Sequence, residues 1–236
     1  MKVDLIASYK FWLPVAVLYP IGSLLWPLVF PTIISYPWPR ADDTKKQNNT
    51  VILAGSFNPP HLGHFAMLSY LAQRHDKVIC VVGCNPNKKY AVLPEDRARL
   101  LRAMFAAADL PDIEVQVVTT YIWRYAKTRQ CRIMYRGIRS WEKDGKEEHA
   151  LHILNTWGPL MLGPTWPIPS HYLEGKPEFN HISSSLIRGL LNGCEDDGKR
   201  STVRSELVKL VPASIVDETI RLYKPKAGDA QEGTPR

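Results

Sequence analysis

Gly55-Ser56-Phe57-Asn58-Pro59-Pro60-His61-Leu62-Gly63-His64 is the stretch around which this chain is organised. The residues before it, 50–54, read Thr-Val-Ile-Leu-Ala and predict a short buried strand, and apolar residues recur after it at helical spacing. The stretch is therefore predicted to be a strand-to-helix turn, which points free N–H groups and a positive dipole end at a ligand above it. His61 and His64 could then face the same anion. A proline-rich turn with two surface histidines is the plainer alternative.

Strand-like and helix-like segments alternate along the rest of the chain. Further strands are predicted at 77–83, 113–118, 132–135 and 160–167, and helices at 94–108, 121–129 and 147–157. Such alternation implies right-handed βαβ units and a parallel sheet. We expect an α/β fold, a Rossmann-like doubly wound parallel sheet of five strands with flanking helices. Ligands of such sheets bind beyond the carboxyl ends of the strands.

Three polar stretches come directly after predicted strands or at a helix start. Asn-Pro-Asn-Lys-Lys occupies 85–89, Arg-Gly-Ile-Arg occupies 136–139, and three serines at 183–185 precede Arg188. Solvated lysines, surface salt bridges and a helix cap are the structural alternatives. Three hydroxyls at one helix start, with an arginine one turn on, favour a triphosphate over capping alone.

These stretches resemble the signatures of a known superfamily. Residues 55–64 and 182–188 match G-[ST]-F-[DN]-P-x-H-x-G-H and I-S-S-[ST]-x-[IV]-[RK], the two signatures of the nucleotidyltransferases that transfer adenylyl or cytidylyl groups. The stretches at 85–97 and 136–139 are most similar to those of the phosphopantetheine adenylyltransferases. Pyridine-nucleotide adenylyltransferases generally lack the second of them. The resemblance spans residues 50–224.

The resemblance implies a reaction and a set of site residues. ATP would give its adenylyl group to 4′-phosphopantetheine, releasing pyrophosphate and forming dephospho-coenzyme A, with Mg²⁺ carried by the triphosphate and no protein ligand to the metal. His64 and Arg139 would stabilise the transition state. The residues predicted to bind ATP are Ser56, Phe57, His61, His64, Gly137, Arg139, Glu148, Ser183, Ser184, Ser185 and Arg188. Those predicted to bind the acceptor are Ser56, Lys88, Ile122 and Arg136.

The chain departs from the family pattern at three places. Asn58 stands where bacterial members have Asp, as is more typical of nicotinamide mononucleotide enzymes. One extra residue follows Arg139, so Glu147 could replace Glu148, and 171–177 resembles an insertion. Nicotinamide mononucleotide adenylyltransferase, or another adenylyl- or cytidylyltransferase, therefore remains an alternative. A non-catalytic, membrane-tethered nucleotide-binding protein is a more distant one.

The N-terminal 39 residues differ from the rest of the chain. No charged residue occurs from position 11 to 39, a run long enough to cross a bilayer, although prolines at 14, 20, 27 and 31 would interrupt a helix. We predict membrane association, with the domain facing the cytosol or an organelle interior. An arm packed on protein, in a cytoplasmic enzyme, is the alternative. Residues 40–49 are expected to form a linker, 50–224 the nucleotidyltransferase domain and 225–236 a disordered tail.

Composition limits the other function classes. The 236 residues are 45% hydrophobic, and the net charge of +7 suits an acidic partner such as a triphosphate. Because the basic residues are spread along the chain rather than clustered, no nucleic-acid partner is predicted. The four cysteines form no C-x-x-C pair, which favours reduced, mostly buried thiols over zinc or disulfides. The sequence leaves a homo-oligomer open.

Overall fold

The computed structural model describes residues 30–39, 46–84, 90–110, 112–192 and 200–224. Within them the strands are β1 (Thr32–Ile34), β2 (Gln47–Gly55), β3 (His75–Gly83), β4 (Ile113–Val118), β5 (Ile133–Ile138) and β6 (Ser170–Glu174). The α-helices are α1 (Leu62–Arg74), α2 (Pro94–Ala107), α3 (Ile122–Thr128), α4 (Trp141–Leu162), α5 (Ser184–Asn192), α6 (Arg200–Leu207) and α7 (Val216–Tyr223). Short 3₁₀ turns occupy Pro177–Phe179 and Ala213–Ile215.

The described strands form one sheet in the order β1-β6-β5-β2-β3-β4, and every neighbouring pair is parallel. The chain moves outward from β2 to β3 and β4, then crosses back to β5 and continues to β6. The carboxyl ends of β2 and β5 therefore flank the point where the winding reverses, which is where doubly wound sheets bind ligands. The predicted parallel α/β class is confirmed.

Helices cover both faces of this sheet. On one face, α1, α2 and the C-terminal helices bury a large apolar core that includes Leu53, Leu71 and Leu101. On the other face, a smaller cluster gathers around Ile52, Ile79 and Trp123 of α3. The central strands β2 and β3 are apolar on both sides because both of their faces are covered.

The prediction of five strands is wrong, because the described sheet has six. The additional strand, β1, pairs with β6 and lies within the uncharged run of the sequence. Strand β2 also begins at Gln47, inside the expected linker.

The predicted fifth strand at 160–167 is wrong as well. Helix α4 continues to Leu162, and the strand next to β5 is Ser170–Glu174. Strand β6 overlaps the stretch 171–177 that resembles an insertion, so that stretch carries part of the sheet, and its being an insertion stays a prediction.

Several sequence predictions fall outside the described residues. They concern most of the uncharged run, part of the linker, Lys88, Cys194 and the C-terminal tail. Among the described helices, none is both long enough and apolar enough to cross a membrane. Of the described cysteines, Cys80 and Cys131 are buried free thiols and Cys84 is a partly exposed one.

Candidate active site

The turn between β2 and α1 is held by hydrogen bonds from distant helices. Arg97 of α2 donates to the Ser56 carbonyl (2.5 Å), and Ser184 of α5 donates to the Pro59 carbonyl (2.8 Å). Arg188 donates to the Asn58 carbonyl (2.5 Å). The turn includes Phe57 at φ 46°, a conformation that most side chains avoid. The donors therefore fix a backbone shape that the local sequence alone would not favour.

Asn58 is buried beneath this turn. Its Oδ1 accepts a hydrogen bond from the Tyr223 hydroxyl of α7 at 2.7 Å. A neutral amide at this position needs no counter-ion when it is buried, whereas a carboxylate would need one.

His61 and His64 are stacked at the start of α1. Their ring centroids are 3.7 Å apart, and the Phe57 ring meets His64 edge-on at 4.9 Å. Burial lowers the pKa of His61 to about 4. Burial, with a smaller contribution from His61, lowers the pKa of His64 well below its usual value. Both rings are therefore neutral near pH 7 and can each donate one N–H to a ligand. A Cβ at Gly63 would come within 3.1 Å of the His61 ring, so the stacking depends on glycine there.

A pocket of about 240 Å³ opens beside these rings, beyond the carboxyl ends of β2 and β5. The start of α1 lies on one side, and the start of α4 and the segment leading to α5 lie on the other. Side chains from several elements line it: His61, His64, Met67, Arg139, Asp144, Glu148, Phe179, Asn180, Ser183 and Ser184. Gly137 also lines it, and a Cβ there would come 2.5 Å from the Met67 sulfur.

Two arginines from the end of β5 are paired with carboxylates of α4. Asp144 accepts hydrogen bonds from both the backbone N–H of Arg139 (2.7 Å) and its guanidinium (2.5 Å). Burial would raise the pKa of Asp144, but the hydrogen bonds from Arg139 outweigh it and lower the pKa. Arg136 forms an ion pair with Glu148. The direction of each guanidinium is thus set by an acidic residue of the following helix.

Each of the three serine hydroxyls has a partner within the protein. Ser183 caps α5 by accepting from the Leu186 N–H at 3.1 Å. Ser184 donates to the turn, and Ser185 accepts from Arg188 at 3.1 Å. Capping therefore accounts for one serine, as expected, and the other two hydroxyls have other partners within the protein. Ser183 and Ser184 nevertheless line the pocket.

The structure brings together about half of the predicted site residues. Those that line the pocket are His61, His64, Gly137, Arg139, Glu148, Ser183 and Ser184. Five others lie behind or beside the pocket: Ser56, Phe57, Ser185, Arg188 and Arg136. Phe57 is fully buried. Ile122 lies near Gly83, at the end of β3.

Sequence reasoning missed Asp144, Arg97 and Tyr223. Asp144 lies in the first turn of α4, five residues after Arg139, and that spacing was available as a signal. Arg97 ends the stretch 85–97 that resembles the family, which was a signal for it, but nothing in the sequence joins Tyr223 to a turn about 165 residues earlier. Among the described residues, no group of three His, Cys, Asp or Glu side chains is placed to hold a metal ion.

Comparison with known proteins agrees with this geometry. The model of the cytidylyltransferase-like family matches residues 52–190, which include the carboxyl end of β2, all of β5 and the start of α5. The chain belongs to the cytidylyltransferase-like family. It is a nucleotidyltransferase, and the resemblance inferred from its two signatures is confirmed.

Individual members of the family are similar over most of their length. A phosphopantetheine adenylyltransferase from Kocuria rhizophila is 31% identical over 137 residues, covering 58% of this nucleotidyltransferase and 81% of that enzyme. One from Leuconostoc citreum is 26% identical over 166 residues, covering 70% and 93%. The structure of nicotinic acid mononucleotide adenylyltransferase from Plasmodium falciparum, complexed with NaAD, has a TM-score of 0.49 at 18% identity, covering 74% and 96%.

Proposed function

We propose that this nucleotidyltransferase adenylylates 4′-phosphopantetheine. A phosphate oxygen of the acceptor attacks the α-phosphorus of ATP, and the bond from that phosphorus to the bridging oxygen breaks. The products are dephospho-coenzyme A and pyrophosphate. One observation supports this reaction above all: His64 from the β2 side and Arg139 from the β5 side line one pocket at the point where the winding reverses.

The triphosphate would lie along the neutral histidines and the start of α5. The attacking phosphate is already anionic, so no general base is needed. His64 donates to the α- or β-phosphate as charge shifts toward the leaving group, and Arg139 supplies positive charge. Because the histidines are neutral, they would bind the phosphates by donating N–H hydrogen bonds rather than by positive charge. Mg²⁺ would enter with ATP as the substrate complex, bound through phosphates and water.

The acceptor phosphate would be held by Arg136 and Lys88. Arg136 is held by Glu148, so its guanidinium is oriented before the substrate arrives. Asn58, the residue that pointed toward nicotinamide mononucleotide, is buried against Tyr223 and is not part of the pocket lining. The similarity to phosphopantetheine adenylyltransferases then favours phosphopantetheine as the acceptor.

The test is pyrophosphate release by the purified full-length chain. ATP and CTP are each paired with 4′-phosphopantetheine, nicotinamide mononucleotide and nicotinic acid mononucleotide. We expect ATP with 4′-phosphopantetheine to turn over fastest. Arg136→Ala should mainly raise the KM for that acceptor, while Arg132→Ala, at an exposed arginine just before the same strand, should leave it unchanged. Faster turnover with either mononucleotide would reject the proposed acceptor.

We also propose that residues 11–29, the part of the uncharged run that precedes the described domain, associate the enzyme with a membrane. A stretch of this length without charge is poorly suited to remain in water. The full-length chain should sediment with membranes and resist a high-salt wash, whereas a chain starting at Phe30 should not. A full-length chain that stays monodisperse without detergent would contradict this.

A further inference from the structure

Helix α4 buries three polar side chains against the sheet. Glu148, His152 and Thr156, at four-residue spacing, are all buried. They face the sheet, since His152 packs beside Tyr172 of β6, whose hydroxyl donates to the Glu148 carbonyl. A helix that covers a sheet in water normally has the opposite arrangement.

The outward side of α4 is charged or polar in its first half, where Glu142, Lys143, Lys146 and His149 are exposed, and apolar from Ile153 to Leu162. The exposed residues of this apolar half are Ile153, Leu154, Trp157, Met161 and Leu162, with relative exposures from 39% for Leu154 to 79% for Met161. Trp166, just beyond the helix, is exposed as well. Contiguous apolar surface of this kind marks an interaction site rather than an ordinary solvated surface.

The edge strand β1 extends this surface. Ile33 is exposed and pairs in register with Tyr172. Residues in register on neighbouring strands point to the same face of a sheet, so Ile33 lies on the α4 side. We call the apolar half of the outward side of α4, together with Trp166 and Ile33, the α4 face.

The path of the chain indicates what covers the α4 face. The uncharged run includes β1, so residues 11–29 join the domain at this edge. Val29 is four residues from Ile33, at most about 14 Å along an extended chain. A bilayer that held residues 11–29 would therefore lie close to β1.

Among the described residues, exposed apolar side chains are more numerous on the α4 side of β1 than on the α1 side, where Tyr36 is exposed next to Trp38. On the α1 side, Ile34 and Trp38 pack against the core, and the Trp38 ring lies 4.7 Å from that of Tyr70. On the α4 side, the apolar residues are exposed. We propose that the α4 face rests on the lipid bilayer with which residues 11–29 associate.

The chemistry of the α4 face fits a bilayer surface. Trp157 and Trp166 are of the residue type enriched where lipid meets water. The net charge of +7 attracts the protein to anionic lipid. The proposal rests on the membrane association proposed above and is independent of the acceptor.

The test places a fluorescent probe on the α4 face of the full chain. Cys84→Ser and Cys194→Ser leave only the buried thiols of Cys80 and Cys131. Met161→Cys then carries an environment-sensitive dye, and Ala106→Cys, exposed on α2 across the sheet, is the matched control. Vesicles of phosphatidylcholine and phosphatidylserine are prepared with and without a nitroxide-labelled lipid. The Met161→Cys dye should shift to shorter wavelength and be quenched by the nitroxide lipid, and the Ala106→Cys dye should show neither effect.

Other outcomes would overturn the proposal. A Met161→Cys dye already shifted without vesicles would mean that protein covers the face. If that shift depended on protein concentration, a second copy of the chain would cover the face. If it did not, residues 11–29 would cover it. If the chain floated with vesicles while this dye stayed unquenched, a surface other than the α4 face would contact the bilayer. If the chain did not float, the protein would not bind the bilayer at all. Pyrophosphate release by the same samples reports separately on the proposed reaction.

Discussion

At the scale of single residues, the turn between β2 and α1 depends on donors that are far from it in sequence. Arg97 is the most deeply placed of them, with 1% of its surface exposed and the Tyr90 ring against its guanidinium at 4.7 Å. No described carboxylate forms an ion pair with Arg97. Burying a guanidinium in this way is costly, so its bond to the Ser56 carbonyl indicates that the shape of the turn matters.

Arg97→Met should therefore weaken both folding and substrate binding. The Ser56 carbonyl would lose its donor, at a cost of about 1–3 kcal/mol in the free energy of unfolding. The KM values for both substrates should rise together, because the turn lies between their proposed sites. Arg99→Met, on the same helix but with its side chain about half exposed, is the control for chemical denaturation and kinetics. An unchanged KM for both substrates would show that the turn keeps its shape without Arg97.

His64→Ala tests the proposed stabilisation of the transition state. Removing one donor aimed at developing charge typically lowers kcat on the order of a hundred- to a thousandfold. We expect that loss, with ATP affinity changed by only a few-fold and the fold retained. His149→Ala, at an exposed histidine of α4, should leave kcat unaltered. If His64→Ala kept its turnover and bound ATP more weakly, His64 would be a binding residue only.

Asp144→Asn tests whether the carboxylate positions Arg139. The amide can still accept one hydrogen bond, but it no longer holds the guanidinium by charge, so Arg139 should be less well ordered before ATP arrives. We expect the KM for ATP to rise roughly tenfold, equivalent to about 1.4 kcal/mol, with a smaller change in kcat. Asp112→Asn, at an exposed ion pair with Lys46, is the control in the same steady-state assay. A lower KM would instead mean that Asp144 competes with the triphosphate for Arg139.

At the scale of elements, β1 joins the N-terminal run to the domain. It has only three residues, but Ile34 and Trp38 pack against the core, and the Trp38 indole donates to the Glu174 carbonyl at 2.8 Å. A chain starting at Lys46 should therefore be less stable than one starting at Phe30, by about 2 kcal/mol or roughly 4–8 °C in Tm. Calorimetry of the two truncated chains measures the difference. Equal Tm values would mean that β1 contributes nothing to folding.

The sequence predicted the elements whose apolar pattern matches their burial. The strands at 77–83 and 113–118 and the helix from Pro94 were found within two residues of their ends, because β3 and β4 are covered as expected and α2 has Pro at its start. Helix α4 was predicted at 147–157 but extends from Trp141 to Leu162, and its last turn, near residue 160, was assigned to a strand because the apolar residues there face outward. Strand β1 was not predicted, because three residues within an uncharged run show no alternation of polar and apolar side chains that would identify a strand. The motifs predicted where the pocket would form, but not the long-range hydrogen bonds that shape it.

At the scale of the whole molecule, neutral histidines in the fold link stability to pH. His75 is buried between Asn49 and Tyr135, and its ring nitrogens lie 2.7 Å from the Asn49 Oδ1 and 3.2 Å from the Tyr135 hydroxyl. Burial, with smaller contributions from Arg74 and His171, lowers its pKa to about 4. In the unfolded chain the His75 ring takes up a proton near pH 6.5. In the folded chain it does not do so until the pH approaches 4. Stability contributed by neutral His75 is therefore present above about pH 6.5 and is lost as the pH falls toward 4.

His75→Gln should flatten this dependence. The wild type should lose up to about 1.4 kcal/mol per pH unit from this histidine alone over that window. The variant lacks the titrating group, so its free energy of unfolding should fall less steeply when urea titrations are repeated between about pH 7 and about pH 4.5. His149→Gln, at an exposed position, should follow the wild type. Identical slopes for His75→Gln and the wild type would contradict the predicted linkage.

The pairing of β1 with β6 also has a consequence for synthesis. Thr32 leaves the ribosome early, but its partner His171 follows about 140 residues later. At 5–20 residues per second, the edge strand waits roughly 7–28 s for its partner. Tyr223, which holds Asn58, emerges later still. During this interval β1 is unpaired, and the turn between β2 and α1 still lacks its last donor. The pocket beside that turn can therefore take its final shape only after nearly the whole chain has been synthesised.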